Sequence, residues 1–395
     1  MVFTLEAVFA KHGDALILHC GNPDKPRRVL IDGGPAGVYA GFLKPRFEEL
    51  RQEQGLKKTD SLPFDMVMIS HVDDDHINGV LALFEEQLAA HEAKRPLPYK
   101  IRRLWNNTFD DIIGNKGAGV LSKLAAAVAT TPAIDDDSTA VVASVPQGRN
   151  LRRAAGILGM KKVNAPFKGL VMAPKQGVTV VDLKGGLSFS IIGPTLERVE
   201  DYQKRWDKDL EKILKKEKES AEVASMTDGS PFNLASIVVL AELGGKRMLL
   251  TGDARGDDIQ KGLTTAGLYH QGGPPFHVDL LKVPHHGSDR NVTQEFFEHV
   301  TADHYVISGD GHHGNPKADM LRMLAAARGD QPYTLHFTVR KNAHETEVSE
   351  KRKACLAKLH GWVTRERPQN CQVRFRPDDA NARSTVIDLE APLAA

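Results

Sequence analysis

The chain has 395 residues, with 52 Lys plus Arg against 51 Asp plus Glu and a formal net charge of +1. That balance excludes a chain-wide basic field for nucleic acid and an acidic solvating tail, while leaving room for a local basic groove. A hydrophobic content of 41% with 26% charged residues fits a folded globular chain with a large core, and no apolar run approaches the ~18 residues of a membrane span.

Met1–Asp14 lacks the basic start and long apolar stretch of a signal peptide. Leu5–Phe9, Ala15–Cys20 and Arg28–Ile31 read as short strands with turns at His12–Asp14 and Gly21–Lys25. Val38–Gln54 reads as helical, with Pro45 breaking or starting a helix inside it. Asp65–Ser70 is a short apolar run fit for a buried strand, followed by a helix over Asn78–Ala93 and a strand over Ile101–Trp105. Residues 106–176 alternate alanine-rich helical stretches with acidic and Pro/Gly loops and read as an insertion. Two hairpins follow, Val178–Leu183 with Leu187–Ile192, and Ser236–Leu243 with Arg247–Leu250. Between them Arg198–Ala224 alternates charges as an exposed helix does.

The last third returns to strand, loop and helix. Val278–Val283 reads as a strand, Asn291–Val300 as a helix, Tyr305–Ser308 as a strand and Lys317–Ala327 as a helix. Residues 1–330 are thus expected to form one domain, with 331–395 an extension packed on it that holds strands at Val373–Phe375 and Thr385–Leu389. The cysteines Cys20, Cys355 and Cys371 form no CxxC, so neither a disulfide framework nor a thiolate zinc site is indicated and a reducing cytoplasm is expected.

Chemistry is concentrated where strands end. Of 16 histidines, eight fall between His270 and His313. The segment His71-Val72-Asp73-Asp74-Asp75-His76 follows a buried strand and can aim two imidazoles and up to three carboxylates at one point. Such a set suits zinc, manganese or iron in a hydrolytic rather than structural site. The plainer reading is a solvated acidic turn. Thr251-Gly252-Asp253 places a carboxylate at a strand tip, although Gly-Asp is also a frequent turn. Val283-Pro284-His285-His286 ends another strand, and adjacent side chains on an extended backbone point opposite ways, so one histidine faces the metal and the other substrate. A Gly-rich loop, Gly309–Gly314, carries His312 and His313 and precedes a helix.

In order, HxDxDH, TGD and LKVPHHGS resemble the metallo-β-lactamase superfamily of hydrolases. Within it, the chain looks most like the cytosolic hydrolase domain of ComEC-type DNA-uptake proteins and their stand-alone relatives. Phe9–Leu18 resembles that branch's opening "GQGDA" hairpin, Val29–Gly34 the superfamily's first motif, and Asn233–Val239 the branch's N-x-x-S strand. The resemblance covers roughly residues 1–105 and 230–330.

It implies a four-layer αββα sandwich and two divalent ions, zinc or manganese. His71 and Asp73 would hold one ion. Asp75, His76 and His285 would hold the second, and Asp253 would bridge them. Asp32 and Asn233 would stand behind the ligands. Lys282, His286 and His313 would grip a phosphate or protonate a leaving group. Asp73 stands where most of the superfamily has a second histidine, as in the ComEC-type branch. With Asn233 where another histidine ligand is usual, the first position is oxygen-rich, which favours manganese. Asn315-Pro316 stands where the branch carries histidine before proline, with His313 two residues earlier.

The implied activity is metal-dependent phosphodiester hydrolysis, on DNA or RNA, without a membrane. The alternatives are hydrolysis of a small ester, lactone or phosphoester in a pocket walled by residues 106–176, or a weakly active regulatory subunit acting with a partner protein.

Overall fold

The computed structural model describes residues 1–108, 111–112, 136–201, 203 and 235–390. Its first sheet is built from β1 (Val2–Val8), β2 (Leu16–Gly21), β3 (Arg27–Ile31), β5 (Met66–Ile69), β7 (Leu104–Asn106) and β16 (Ser384–Asp388), in the order β16-β1-β2-β3-β5-β7. A short parallel pair, β4 (Leu62–Phe64) and β6 (Tyr99–Ile101), lies apart from it. The second sheet holds β8 (Thr179–Asp182), β9 (Ser188–Gly193), β10 (Val238–Leu243), β11 (Lys246–Leu250), β12 (Phe276–Lys282), β13 (Val300–Ile307), β14 (Tyr333–Arg340) and β15 (Cys371–Arg376). Its strands lie in chain order from β15 through β14 and onward to β8, with β11 to β15 parallel.

Alternation along the strands sends side chains to two different cores. Phe3, Leu5, Leu18, Val29 and Met68 meet Phe189, Val239, Met248 and Leu280 in a layer between the two sheets. The opposite face of the first sheet, through Ile17, Leu30, Val67 and Ile69, packs on α1 (Lys44–Glu53), α2 (Asp74–Glu92) and α3 (Asp136–Ile157). The opposite face of the second, through Leu240, Leu249, Leu281 and Leu335, packs on α4 (Gly256–Thr265), α5 (Gln294–His299), α6 (Ala318–Arg328) and α8 (Glu350–Arg365). A short α7 (Ala343–Thr346) precedes α8. Three apolar layers between four structural ones make the αββα sandwich expected from the motifs.

The structure moves several boundaries. Val38–Gln54 is not one helix: a π-helical turn, Tyr39–Leu43, runs into α1, whose first turn holds Pro45 where its missing N–H costs nothing. The helix expected at Asn78 starts at Asp74, so the acidic run forms its first turn, where carboxylates suit the helix dipole. The helix expected over Asn291–Val300 shortens to α5, capped by the Thr293 hydroxyl accepting from the Phe296 N–H at 3.1 Å. Residues 331–390 supply β14 and β15 to one sheet and β16, paired with β1, to the other. Most of the charged stretch 198–224 lies outside the described residues. No described helix is long and apolar enough to cross a membrane.

One contact fixes the site's geometry. The Asp32–Gly34 loop lies on the first turns of α2, with the Gly33 N–H donating to the His76 carbonyl at 2.7 Å and the Gly79 N–H to the Gly34 carbonyl at 2.9 Å. A Cβ on Gly79 would stand 1.9 Å from the Gly33 oxygen, and one on Gly33 2.4 Å from the Val80 nitrogen. Gly79→Ala is therefore expected to cost about 2 kcal/mol or more, because backbone rather than a flexible side chain must yield. Chemical denaturation measures this, and an unchanged midpoint would show that the loop and helix separate freely.

Candidate metal centre

The loops that follow β3, β5, β11, β12 and β13 carry Asp32, His71, Asp253, His286 and Ser308 respectively, all buried. Strand ends of a rigid sheet thus present these five, while Asp75 and His76 come from the first turn of α2. In the first sheet Asp32 is the organiser, held at a positive φ of 59°. Its Oδ1 accepts the Ser70 N–H at 2.7 Å, and its Oδ2 accepts the Ser70 hydroxyl at 2.7 Å and His76 Nδ1 at 2.8 Å. Ser70 Oγ also lies 3.0 Å from His71 Nδ1. Both imidazoles are anchored through Nδ1, which leaves each Nε2 to face away from the anchor.

In the second sheet Gly252 takes φ 51° and brings its backbone so close to Ser70 that a Cβ would stand 2.8 Å from the serine's. Together with the Ile237 N–H donating to the Ser70 carbonyl at 2.8 Å, this ties the two sheets at the site. The Asp253 N–H donates to Ser236 Oγ at 3.3 Å. His285 and His286 both take left-handed backbone, φ 48° and 53°. His286 Nδ1 lies 3.1 Å from Ser308 Oγ, and Ser308 donates in turn to Asp14. Lys282 Nζ completes this group 2.8 Å from Asp14 Oδ2.

The result is convergence on Asp253. Its Oδ1 lies 3.4 Å from His76 Nε2, and its Oδ2 lies 3.3 Å from His286 Nε2 and 3.7 Å from His285 Nε2. Asp75 is 3.7 Å from His76 Nε2 and 3.4 Å from His286 Nε2. Ligand atoms of Asp75, His76, Asp253 and His286 all lie within 4.8 Å of one another. Beside them, His71 Nε2 is 3.7 Å from Asp73 Oδ2, and the His71 and His76 rings are 4.0 Å apart.

Among the described residues, His71 Nε2, His76 Nε2, Asp253 Oδ1 and His286 Nε2 are buried without a hydrogen-bond partner. Each such group ordinarily costs about 1–3 kcal/mol. Four together in one spot fit a divalent cation, and imidazole with carboxylate and no thiolate is the donor set of zinc or manganese.

The electrostatics agree. Burial alone would lower His76 and His286, but Asp253 and Asp75 around the first, and Asp253 and Asp14 around the second, hold both well above the ordinary imidazole value. Burial, aided by the neighbouring His76, takes His71 down to about 3. Burial would raise Asp253 and Asp75, yet the surrounding histidines keep both below the carboxylate range. Burial raises Asp32 despite His76.

His76 and His286 thus carry protons that stabilise the metal-free site below the unfolded imidazole value. That stabilisation is lost as pH rises through the raised folded values. At pH 7 a bound cation must displace these protons. Titration with Zn²⁺ or Mn²⁺ is expected to release protons and to weaken as pH falls. Calorimetry in buffers of different ionisation enthalpy measures it, and uptake without proton release would contradict the placement.

The expected residues fall into place unevenly. Of the expected ligands, Asp75, His76 and Asp253 lie together, His285 meets Asp253 at 3.7 Å, His71 and Asp73 stand 3.7 Å apart beside them, and Asp32 lies behind His76. His286, expected toward substrate, instead joins Asp75, His76 and Asp253. The alternation argument assumed extended backbone, and the positive φ at both histidines ends that alternation. Lys282, expected at a substrate phosphate, is fully buried and pairs with Asp14, so it positions Asp14 rather than facing substrate. His313 is exposed, near His12 and His312, with ring centroids 5.3 and 4.5 Å away. Asn233 lies outside the described residues.

Sequence reasoning missed Asp14, Ser70, Ser308 and His12. The available signal was the His12-Gly13-Asp14 turn. Gly13 is required there because a Cβ would stand 1.8 Å from the Asp75 carbonyl oxygen. Asp32→Asn, which keeps the shape but removes the charge behind His76, is expected to weaken metal affinity about 10–100-fold. Competition with a chromogenic chelator reads this out, and unchanged affinity would remove Asp32 from the centre.

No family model matches the chain. Microtubule-associated protein 1A of Mus musculus is 35% identical over 92 residues, 23% of this chain and 3% of that protein. The Rattus norvegicus protein matches over the same length at 35% identity. The match therefore spans only a small part of those relatives. Among solved structures, a candidate metal-dependent hydrolase from Parabacteroides distasonis aligns over 84% of this chain and 92% of its own, at 12% identity and a TM-score of 0.34. Zn²⁺-bound PqqB from Methylobacterium extorquens aligns over 96% and 88%, at 14% identity and a TM-score of 0.30. Likenesses this distant do not reach the site, whose chemistry rests on its own residues.

Proposed function

We propose that this chain is a metal-dependent hydrolase of the metallo-β-lactamase type that cleaves phosphodiesters with two divalent ions. The observation that carries the reading is Asp253, whose two oxygens face different histidines within a buried ring of unpartnered Nε2 atoms. Asp75, His76 and His286 would hold one ion. His71, Asp73 and His285 would hold the other, with Asp253 serving both. Divalent ions held there supply Lewis acidity and acidify a water molecule, as hydrolysis near neutral pH requires. A pair of ions suits displacement at phosphorus, where attacking and leaving oxygens are stabilised together. Each set then offers two imidazoles and two carboxylates, which suits zinc and manganese alike.

The chain's own work is orientation. Asp32 fixes His76, while Asp14, Lys282 and Ser308 fix His286. The His12, His312 and His313 rings lie 4.5–5.3 Å from one another, and burial takes His12 down to about 4, so it would meet a substrate oxygen as a neutral donor. A nuclease is the first form of this reading, on DNA or RNA in the cytoplasm.

A second form is favoured by one contact. Gln147 of α3 donates to Asp74 Oδ1 at 2.5 Å and to Asn78 Oδ1 at 2.9 Å, so the insertion stands against the metal loop and can wall in a small ester, lactone or phosphoester. A screen of the metal-reconstituted protein on single- and double-stranded DNA, RNA, an aryl phosphodiester and aryl esters tests both. Turnover of esters alone would replace phosphodiester by carboxylic ester, and no turnover of any would favour a regulatory subunit with a partner protein.

A further inference from the structure

We infer that Arg352, in the C-terminal extension, is a positioning residue for His312 and, through it, for His12 at the rim of the metal centre. The inference rests on the proposed reading, in which His12 meets a substrate oxygen. The turn that carries His12 lies against the metal loop, with the Asp14 N–H donating to the Asp75 carbonyl at 3.3 Å. The His312 ring stacks on that of His12 with centroids 4.6 Å apart and planes 25° apart. Where His312 stands therefore sets where the His12 ring can stand.

His312 sits in the loop Gly309–Pro316 after β13, where Gly309, Gly311 and Gly314 take φ of 115°, 88° and 76°. A chain so rich in glycine has little local reason to keep one shape. One buried carboxylate supplies the reason. Asp310 is 3% exposed; its Oδ1 accepts the His312 N–H at 3.1 Å, and its Oδ2 accepts from Arg352 Nη2 of α8. One oxygen thus shapes the backbone that carries His312, and the other ties that backbone to the extension. Arg352 is steadied in turn by Glu347, whose Oε2 lies 3.2 Å from its Nε. Burial pushes the Asp310 carboxyl up, and the Arg352 guanidinium pulls it the other way. Removing the guanidinium would leave a buried carboxylate without its counter-charge.

The packing agrees. A Cβ on Gly311 would stand 2.9 Å from the Arg352 carbonyl oxygen, so the loop backbone lies directly on α8. Cys355, on the same helix, donates through Sγ to the Pro316 carbonyl at 3.5 Å. Leu356, Leu359 and Trp362 root α8 in the core outside the second sheet. At the other end of the loop, the Asn315 side chain donates to the His285 carbonyl at 3.4 Å and the Lys317 N–H to the Gly287 carbonyl at 3.0 Å. The metal turn thus holds the end of the loop, and Arg352 holds the start, with His312 between them.

Two measurements on the full chain test this. In hydrogen exchange, the Gly311, His312 and Gly314 amides, all bonded within the loop, are expected to exchange at least about tenfold faster in Arg352→Ala, while amides of β12 and β13 keep their rates. Arg352→Lys, which keeps the charge, should recover most of that protection. Arg352→Gln, which keeps much of the stem without the charge, takes the place of Arg352→Ala if the alanine variant does not fold. The second measurement is calorimetric binding of phenyl phosphate to the zinc-loaded chain. Arg352→Ala and His312→Ala are each expected to weaken it at least about fivefold, and the double variant no further than His312→Ala alone, because one residue acts through the other. Additive losses, binding by Arg352→Ala equal to that of the parent, or unchanged loop exchange would overturn the inference. If the parent binds no phenyl phosphate, the phosphodiester reading falls, and loop exchange, which needs neither metal nor substrate, still decides whether Arg352 holds the loop.

Discussion

Asp253→Asn is expected to lower hydrolysis by at least about a thousandfold, near 4 kcal/mol of barrier, while the fold persists. Asparagine matches the shape of aspartate, and the backbone hydrogen bond to Ser236 Oγ does not involve the side chain. What changes is charge. Asp253 is the strongest opposing charge that raises both His76 and His286, and it faces His285 as well. Without it, the ring of imidazoles loses its central anion and two cations would lose the ligand they share. Metal content should fall with activity, and circular dichroism should not change. Unchanged turnover in the metal-saturated variant would end the two-ion reading.

How much of this was legible in the sequence follows from where chemistry sits. Apolar runs that stop abruptly at polar residues marked β5, β11 and β12, and with them His71, Asp253 and the histidine pair. The four-layer arrangement was legible only through the motifs, because period-2 patterns do not say which sheet a strand joins. Thus the strand at Ser384–Asp388 could be anticipated, but not its place beside β1 at the far end of the chain. The start of α2 was hidden because consecutive aspartates read as a loop, and only the tertiary demand for a helix N-terminus there recruits them. Asp14 was hidden for a different reason. A turn of His, Gly and Asp satisfies hairpin chemistry by itself, and nothing local indicates that its carboxylate will meet Lys282 and Ser308.

The same reasoning sets the expected order of the paired histidines. His286→Ala should be the more damaging change, lowering metal affinity at least tenfold more than His285→Ala. His286 is 3% exposed, reaches Asp75 and Asp253 through Nε2, and is held from behind by Ser308 and Asp14. Its removal takes away one ligand and also leaves Asp14 and Lys282 paired beside a cavity, so stability should fall as well. The His285 side chain is 24% exposed and meets Asp253 at 3.7 Å, so water can replace part of what it provides. Strict strand alternation would give the reverse, with His285 holding the metal and His286 turned to substrate. The left-handed backbone at both residues separates the two outcomes, because it swings His286 inward past the end of β12. Metal content and affinity measured side by side on the two variants decide it. Greater metal loss in His285→Ala would mean that the extended-strand pattern persists through Pro284 in solution.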